Sequence, residues 1–177
     1  VVLPRSFYER DCVQVARDLL GKVLTLGPRS GRIVETEAYL GLTDPAAHAF
    51  RGITPRTKVI FGPAGHAYVY LSYGIHNCLN IVAEPEGHPG CVLIRALEPI
   101  VGMERDANGP GKLTQALGIQ LSHNGCDVTQ GPLRISGPAA PEAFEIGVSP
   151  RIGITRAADL PLRFFIRGNR HVSRARA

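Results

Sequence analysis

The chain predicts an α+β fold: one domain with a curved, mostly antiparallel sheet, surrounding helices and a protruding β-hairpin. Three observations carry that expectation. Short runs rich in β-branched residues recur between Gly and Pro punctuation, which is how strands and turns are written. A tyrosine-rich pair of such runs meets at Tyr73-Gly74. Helical periodicity is confined to a few short stretches. At 177 residues the chain suits a single domain over 1–177 with its own core and is too short for two.

Ser6-Phe7-Tyr8-Glu9 has the spacing of a capping box, with Asp11 as a competing N-cap. Val13, Ala16, Leu19 and Leu20 follow at helical spacing until Gly21, so a core-facing helix is expected. Lys22 to Leu26 reads as a strand turned at Gly27-Pro28 into a second one, Arg32 to Tyr39, bounded by Gly31 and Gly41. Thr43 to Gly65 is a long Gly-, Pro- and Ala-rich loop with a short helix expected around Asp44 to Ala49; loops of that size are usually functional. His66 to Val82 gives two strands, and Cys91 to Leu97 a third. A short helix is expected over Gly111 to Leu117, closed by Gly118. Strands are expected at Leu133 to Ile135, Arg151 to Ile154 and Leu162 to Arg167. No internal repeat or low-complexity segment occurs.

Twenty Lys and Arg against fifteen Asp and Glu leave +5. The excess is uneven. From Pro161 onward there are five arginines (Arg163, Arg167, Arg170, Arg174, Arg176) and no acid, and Arg51, Arg56 and Lys58 form a smaller basic patch. Clustered positive charge suits a phosphate backbone, although arginine tails also serve solubility. Cys12, Cys78, Cys91 and Cys126 lack C-x-x-C or zinc spacing; Cys78 and Cys91 read as buried thiols in a reducing compartment. No signal peptide or membrane-length apolar run is read. No H-E-x-x-H pattern occurs, so neither metal nor other cofactor is expected.

Two segments carry chemistry. Alternation places Ile33, Glu35, Glu37 and Tyr39 on one face of their strand and Arg32, Val34, Thr36 and Ala38 on the other. A carboxylate beside an aromatic ring in a dry site holds its proton more tightly, which suits a general base. Taken alone, the segment reads rather as an edge strand with a solvated acidic face. In the second, Tyr68 and Tyr70 share a face, Tyr73 sits at the turn, and His76, Cys78, Asn80 and Val82 alternate on the return strand. Arg95 interrupts an otherwise apolar strand. Such an arginine needs a partner, either in a salt bridge to Glu35 or Glu37 or as part of a charged site on a sheet.

Taken together, these residues resemble the alkyladenine (3-methyladenine) DNA glycosylase family. The resemblance is carried by Arg32-Ile33-Val34-Glu35-Thr36-Glu37-Ala38-Tyr39-Leu40-Gly41, Ala46-Ala47-His48 and Thr54-Pro55-Arg56. It continues through Tyr68-Val69-Tyr70-Leu71-Ser72-Tyr73-Gly74, Cys78-Leu79-Asn80-Ile81 and Val92-Leu93-Ile94-Arg95-Ala96-Leu97-Glu98-Pro99, then Gly109-Pro110-Gly111-Lys112-Leu113 and Pro161 to Gly168. These run in order over nearly the whole chain.

The resemblance implies the same single-domain fold and a monofunctional glycosylase that flips a damaged purine out of double-stranded DNA and hydrolyses its bond to deoxyribose. It implies Glu37 as general base, with Glu35 the rival, Arg95 as its partner and the Ile152 backbone carbonyl orienting the water. Tyr39, His48 and Tyr70 form the base slot, with Leu93 beside them and Asn80 clashing with the 2-amino group of guanine. Tyr73 is the wedge, followed by Ile75 and His76 toward the opposite strand. Thr54, Arg56 and Lys112 are implied phosphate contacts. A monomer is expected, cytoplasmic in a bacterium or nuclear in a eukaryote. Lys22, Lys58 and Lys112 are the only lysines, none beside Glu37, so no lyase activity is expected. One departure stands out: the family usually has a longer basic stretch before its Gly-Pro-x-Lys motif, where only Asp106-Ala107-Asn108 follow Arg105. That reflects a true deletion or the omission of a mobile segment.

Overall fold

Asp11 decides where the first full helix begins. In the computed structural model, which describes residues 1–174, a single turn α1 (Arg5–Tyr8) precedes α2 (Cys12–Asp18). The Asp11 carboxylate accepts hydrogen bonds from the Val13 and Gln14 amides at 3.0 and 3.1 Å, the N-cap geometry that helix termini require. The Ser6–Glu9 box does not form; α1 starts at Pro4 with no side-chain cap. Ala16, Leu19 and Leu20 are buried in the main core as the periodicity predicts, but Val15 takes the inward position expected of Val13, which packs only partly buried against the core.

The sheet contains β1 (Val23–Leu26), β2 (Arg29–Tyr39), β3 (Ala67–Ser72), β4 (His76–Ala83), β5 (Gly90–Val101), β6 (Leu133–Ser136), β7 (Ile146–Ser149) and β8 (Arg163–Ile166). Its path is β3-β4-β5-β2-β1-β6, and every pairing is antiparallel. β1 covers only the first part of one β2 edge; β8 takes the rest, pairing Glu35, Thr36 and Glu37, and β7 pairs with β8. β2 is therefore central, and the expectation of a solvated acidic edge is overturned: Glu35 and Glu37 are both fully buried. The α+β expectation holds, as does the hairpin β3–β4.

Two irregularities in the β2–β5 register tune which side chains reach the site. Ile33 pairs with Leu97 and Glu35 with Ala96, which leaves Val34 extra, and Thr36 pairs with Ile94, which leaves Arg95 extra. Bulges of this kind re-aim side chains. Here Ile33 joins Val34 and Ala38 in the main core, against strict alternation, while Glu35, Glu37 and Tyr39 keep a common face. Alternate residues of β4 behave as expected: Leu79, Ile81 and Ala83 enter the main core and Val82 a smaller cluster with Ala49, Ile60, Tyr68 and Cys91. That smaller cluster pins the long loop to the sheet. Each large apolar side chain so buried contributes roughly 1.5–3 kcal/mol.

The loop itself holds three 3₁₀ turns, Gly41–Thr43, His48–Arg51 and Lys58–Phe61, not a helix over 44–49. The Asp44 carboxylate is occupied by the Leu40 and Ala46 amides and by Arg151, which ties the chain into a turn. Arg151 to Ile154 is likewise no strand. Pro150 lacks an N–H for a ladder, and the Arg151 guanidinium holds the segment by bonds to Ala38 O and Asp44. The strand lies just before it, at β7. A Cβ on Gly147 would fall 2.3 Å from the Phe165 ring, so glycine admits β7 beside β8 while weakening its strand signal.

α3 (Pro110–Leu117) ends at Gly118 in the left-handed conformation and packs on β4 and β5. A Cβ on Gly111 would sit 2.7 Å from the His76 ring, so glycine lets α3 approach the hairpin base. Just before α3, Ala107 is fully buried and its carbonyl accepts from Leu97 N at 2.8 Å, so the short connection is packed against β5. Among the described residues no helix is long and apolar enough to cross a membrane.

Candidate active site

Tyr39, Arg95 and Ile152 form one wall of a cleft of about 620 Å³, the right size for a small ligand or a single nucleotide base. His48, Tyr68 and Tyr70 form an aromatic side, while Asn80, Cys91 and Leu93 come from the strands and Tyr73, His76 and Gly111 reach it from the hairpin and α3. Sheet alternation explains most of this convergence. Tyr68 and Tyr70 share a face of β3, Cys78 and Asn80 share one of β4, and Leu93 and Arg95 share one of β5.

Glu37 lies immediately behind the Tyr39–Arg95–Ile152 wall. Its Oε1 accepts from the Tyr39 hydroxyl at 2.9 Å and its Oε2 from the Ile152 amide at 2.7 Å. Arg95 Nη1 stands 3.7 Å away. Burial raises the Glu37 proton affinity above the ordinary carboxyl value; Arg95, the Ile152 N–H and the Tyr39 hydroxyl pull it back only in part. The result is an under-compensated carboxylate at the cleft wall, the physical state a general base needs.

Glu35 has a different environment. It accepts from Arg95 Nε at 3.0 Å, Arg163 Nη2 at 2.8 Å and the Ser173 hydroxyl at 2.5 Å. Arg95 therefore meets both acids, contacting Glu35 closely and Glu37 at longer range, so the two salt-bridge readings hold together. Arg163 is buried in this network, which corrects its inclusion in a phosphate-facing C-terminal cluster. Arg167 stands 3.8 Å from Glu145, Arg170 and Arg174 are exposed, and Arg176 lies outside the described residues.

The aromatic side is cross-braced. His48 Nδ1 lies 2.9 Å from the Tyr68 hydroxyl, and its ring meets Tyr70 edge-on at 4.4 Å between centroids. Burial and the nearby Arg56 charge both lower the His48 proton affinity below that of a free imidazole. The Arg56 guanidinium lies 5.3 Å over the Tyr70 ring and lines the cleft. Asn80 is buried, with Nδ2 donating to the Tyr68 carbonyl at 3.3 Å.

Tyr73 is 88 % exposed and takes φ 51°, with Gly74 at φ 66°. Those φ signs are those of a type I′ hairpin turn, and Ile75 N closes it on Ser72 O at 3.0 Å. For a bulky residue the left-handed region costs on the order of 1–2 kcal/mol. The hairpin thus holds the aromatic ring outward on a strained backbone position. Ile75 is exposed beside it.

Ten sequence-predicted residues line the cleft: Arg95, Ile152, Tyr39, His48, Tyr70, Asn80, Leu93, Tyr73, His76 and Arg56. Glu37 backs it, and Thr54, Ile75 and Lys112 lie outside the lining. Thr54 bonds Thr57 within its own turn, and Lys112 reaches Asn108 at 3.3 Å. Sequence reasoning missed Arg151, which stacks its guanidinium 4.7 Å over Tyr39 and grips Asp44 at 2.5 and 2.9 Å. It also missed Arg163 and Ser173. Cys78 lines the cleft too, and its alternation with His76 and Asn80 already signalled that.

A model of the methylpurine-DNA glycosylase family matches residues 6–170. The chain belongs to that family. Relatives carrying the name "Putative 3-methyladenine DNA glycosylase" include one from Methanoculleus marisnigri, 52 % identical over 98 % of this chain and the whole of the relative. Another, from Legionella pneumophila strain Lens, is 50 % identical over 97 % of this chain and 98 % of its own length. One from Rhodopseudomonas palustris strain BisB18 is also 50 % identical, over 97 % and 90 %. As a methylpurine-DNA glycosylase, the chain is a DNA-repair hydrolase of N-glycosyl bonds that acts on DNA, and the cleft with its carboxylate wall is its candidate active site.

Proposed function

We propose that this glycosylase is a monofunctional enzyme of base excision repair. It takes alkylated or deaminated purines of the 3-methyladenine, hypoxanthine and etheno-adenine type out of double-stranded DNA and hydrolyses the N-glycosidic bond with a water activated by Glu37. The observation that carries this reading is the buried Glu37 carboxylate, raised in proton affinity and set between Tyr39, Arg95 and Ile152 at the cleft wall. A carboxylate there serves twice: it accepts a proton from water and its charge favours an oxocarbenium-like sugar. The Ile152 N–H and Tyr39 hydroxyl fix its orientation, and each carboxylate oxygen retains further lone-pair capacity.

The remaining parts follow from physical need. A stacked base is out of reach, so the nucleotide must leave the duplex at a cost of a few kcal/mol. Tyr73, rigid and exposed at the hairpin tip, fills the space it leaves. Tyr39, His48 and Tyr70 offer flat, electron-rich surfaces that favour cationic alkylated purines. Asn80, anchored to the Tyr68 carbonyl, presents a fixed obstacle to the guanine 2-amino group. Arg56, Thr54 and Lys112 contact phosphates and position the duplex without reading sequence. No lysine lines the cleft, which supports hydrolysis by water over a Schiff-base route. The enzyme acts as a monomer.

The test is a set of duplexes, each with one modified base, incubated with the purified protein and scored for abasic sites before and after alkaline cleavage. Free base release with an uncut strand is expected for the adenine-type lesions. Strand cleavage before alkali would overturn the monofunctional reading. Tight binding without abasic sites on any substrate would mean a damage-binding protein on the same scaffold.

A further inference from the structure

The C-terminal segment reaches the back of the active site. Ser173 is buried, and its hydroxyl lies 2.5 and 2.9 Å from the two Glu35 oxygens. Arg163 Nη2 bridges Glu35 at 2.8 Å and the Ser173 carbonyl at 3.4 Å, while Nη1 donates to the Ser149 hydroxyl at 3.0 Å. Arg95 donates through Nε to Glu35 at 3.0 Å and through Nη2 to Ser173 Oγ at 3.4 Å. Its Nη1 is then the nitrogen facing Glu37, at 3.7 Å. One guanidinium is divided between two carboxylates, and the side nearer Glu35 is fastened by Ser173, 78 positions from Arg95 and 138 from Glu35 in sequence.

We infer that Ser173 and Arg163 are positioning residues of the glycosylase reaction: by satisfying Glu35 they set how much of Arg95 is left for Glu37. The inference rests on Glu37 as the general base. Glu35 has at least three donors, so no single one must carry its whole charge. When Ser173 is lost, Glu35 draws Arg95 more strongly and Glu37 loses part of its cation. When the Glu35 charge is removed, Arg95 is released toward Glu37. The two changes act on Glu37 with opposite sign, which a cluster that merely holds the fold together would not do. The other groups facing Glu37 stay in place in both variants: Tyr39 on its own strand, the Ile152 amide from the following loop, and Arg151 with its Asp44 partner, whose charge also reaches Glu37.

The experiment is the pH dependence of single-turnover excision for the wild type, Ser173→Ala, Ser173→Thr and Glu35→Gln, each checked for a cooperative thermal transition. The acid limb reports Glu37 losing its proton. Glu35→Gln should move that limb down by about one pH unit, and Ser173→Ala should move it up by roughly half a unit. Ser173→Thr keeps the hydroxyl and should restore the wild-type limb. Shifts of the same sign, or unmoved limbs with uniformly lower rates, would overturn the coupling. Should Glu35→Gln fail to fold, the Ala and Thr pair at Ser173 still decides, since only a positioning role predicts a shift that Thr reverses. Glu37→Gln serves as the reference. If it keeps full activity and an unchanged acid limb, the general-base reading fails, whatever the Ser173 pair shows.

Discussion

Asp44 and Glu37 are both fully buried, both face an arginine, and yet their proton affinities move in opposite directions. Burial pushes both up. Asp44 then receives two guanidinium N–H groups of Arg151 at 2.5 and 2.9 Å and the amides of Leu40 and Ala46 at 3.0 and 3.1 Å, and ends below the ordinary carboxylate range. Glu37 receives one amide and one phenol, and the nearest atom of its arginine stands at 3.7 Å. It ends above that range. Both are closed to solvent, but Asp44 is set less deeply among protein atoms than Glu37 and also has more and closer donors, and the two differences act in the same direction. A saturated acid is a structural rivet; an under-supplied one has the raised proton affinity that the proposed general-base role of Glu37 calls for.

The largest expected effect removes the proposed general base. Glu37→Gln keeps the shape and can still accept from Ile152 N, but it cannot take a proton from water. Single-turnover excision should fall by at least about a hundredfold, the low end of general-base contributions, with duplex affinity retained. Glu35→Gln should be much milder. A dead Glu35→Gln beside an active Glu37→Gln would transfer the role to Glu35.

Stability should show the same contrast with inverted sign. Asp44→Asn leaves Arg151 buried without its counter-charge, and breaking such a pair typically costs about 3–5 kcal/mol. Because the Asp44 proton affinity is lowered, its contribution is present above the ordinary value of 3.8 and is lost as pH falls through its folded value. Glu37 works the other way. Its raised value means the folded state binds the proton more tightly, so its charge destabilises the fold once pH exceeds the folded value. That penalty vanishes below the ordinary 4.5. Glu37→Gln should therefore melt higher than wild type at neutral pH, with the gap closing in acid. Thermal melts from pH 3 to 8 check both slopes, and a lower Glu37→Gln melting point at neutral pH would contradict the account.

Asn80 gives a smaller effect, in selectivity. Asn80→Ser cannot reach the Tyr68 carbonyl as Asn80 does, and it withdraws the group that opposes a guanine 2-amino substituent. The ratio of single-turnover rates on guanine-type and adenine-type lesions should rise by roughly 1–3 kcal/mol, the worth of one small group in a pocket. If both rates drop together, Asn80 braces the hairpin and does not select.

Which of these features could be read from the chain depends on how far apart the interacting residues lie. The Tyr68–Tyr70 face and the β4 alternation follow from neighbours within a few positions and stand as read; the helix after Asp11 forms too, but it ends at Asp18 and turns Val15 inward in place of Val13. The β2 acids were visible, but their burial was not, because that depends on β8 arriving from more than a hundred residues away to cover the edge. Arg151 and Asp44 are 107 positions apart, and Ser173 and Glu35 are 138 apart; neither pair leaves a local pattern. Arg163 misled for the same reason: in a run of arginines without acids it reads as a free cation, and only the fold supplies Glu35.

Arg56 carries the smallest expected effect, and it separates two roles that the sequence could not. As a phosphate contact, it releases about one counterion on binding, so Arg56→Ala should lower the salt slope of duplex affinity by about one unit, almost uniformly across sequences. Its position introduces a second role. The guanidinium lies over Tyr70 and contributes to lowering the His48 proton affinity. Removing it should let the His48 proton affinity rise toward the ordinary 6.5, although burial, the larger cause, remains. Excision of cationic purines should then weaken toward low pH in Arg56→Ala, because a protonated His48 in the slot repels them. Neutral lesions should be spared that acid loss. Affinity titrations at several salt concentrations, paired with excision rates from pH 5 to 8 on cationic and neutral lesions, read the two roles separately. An unchanged salt slope with an altered pH response would place Arg56 in the slot and remove it from the phosphate contacts.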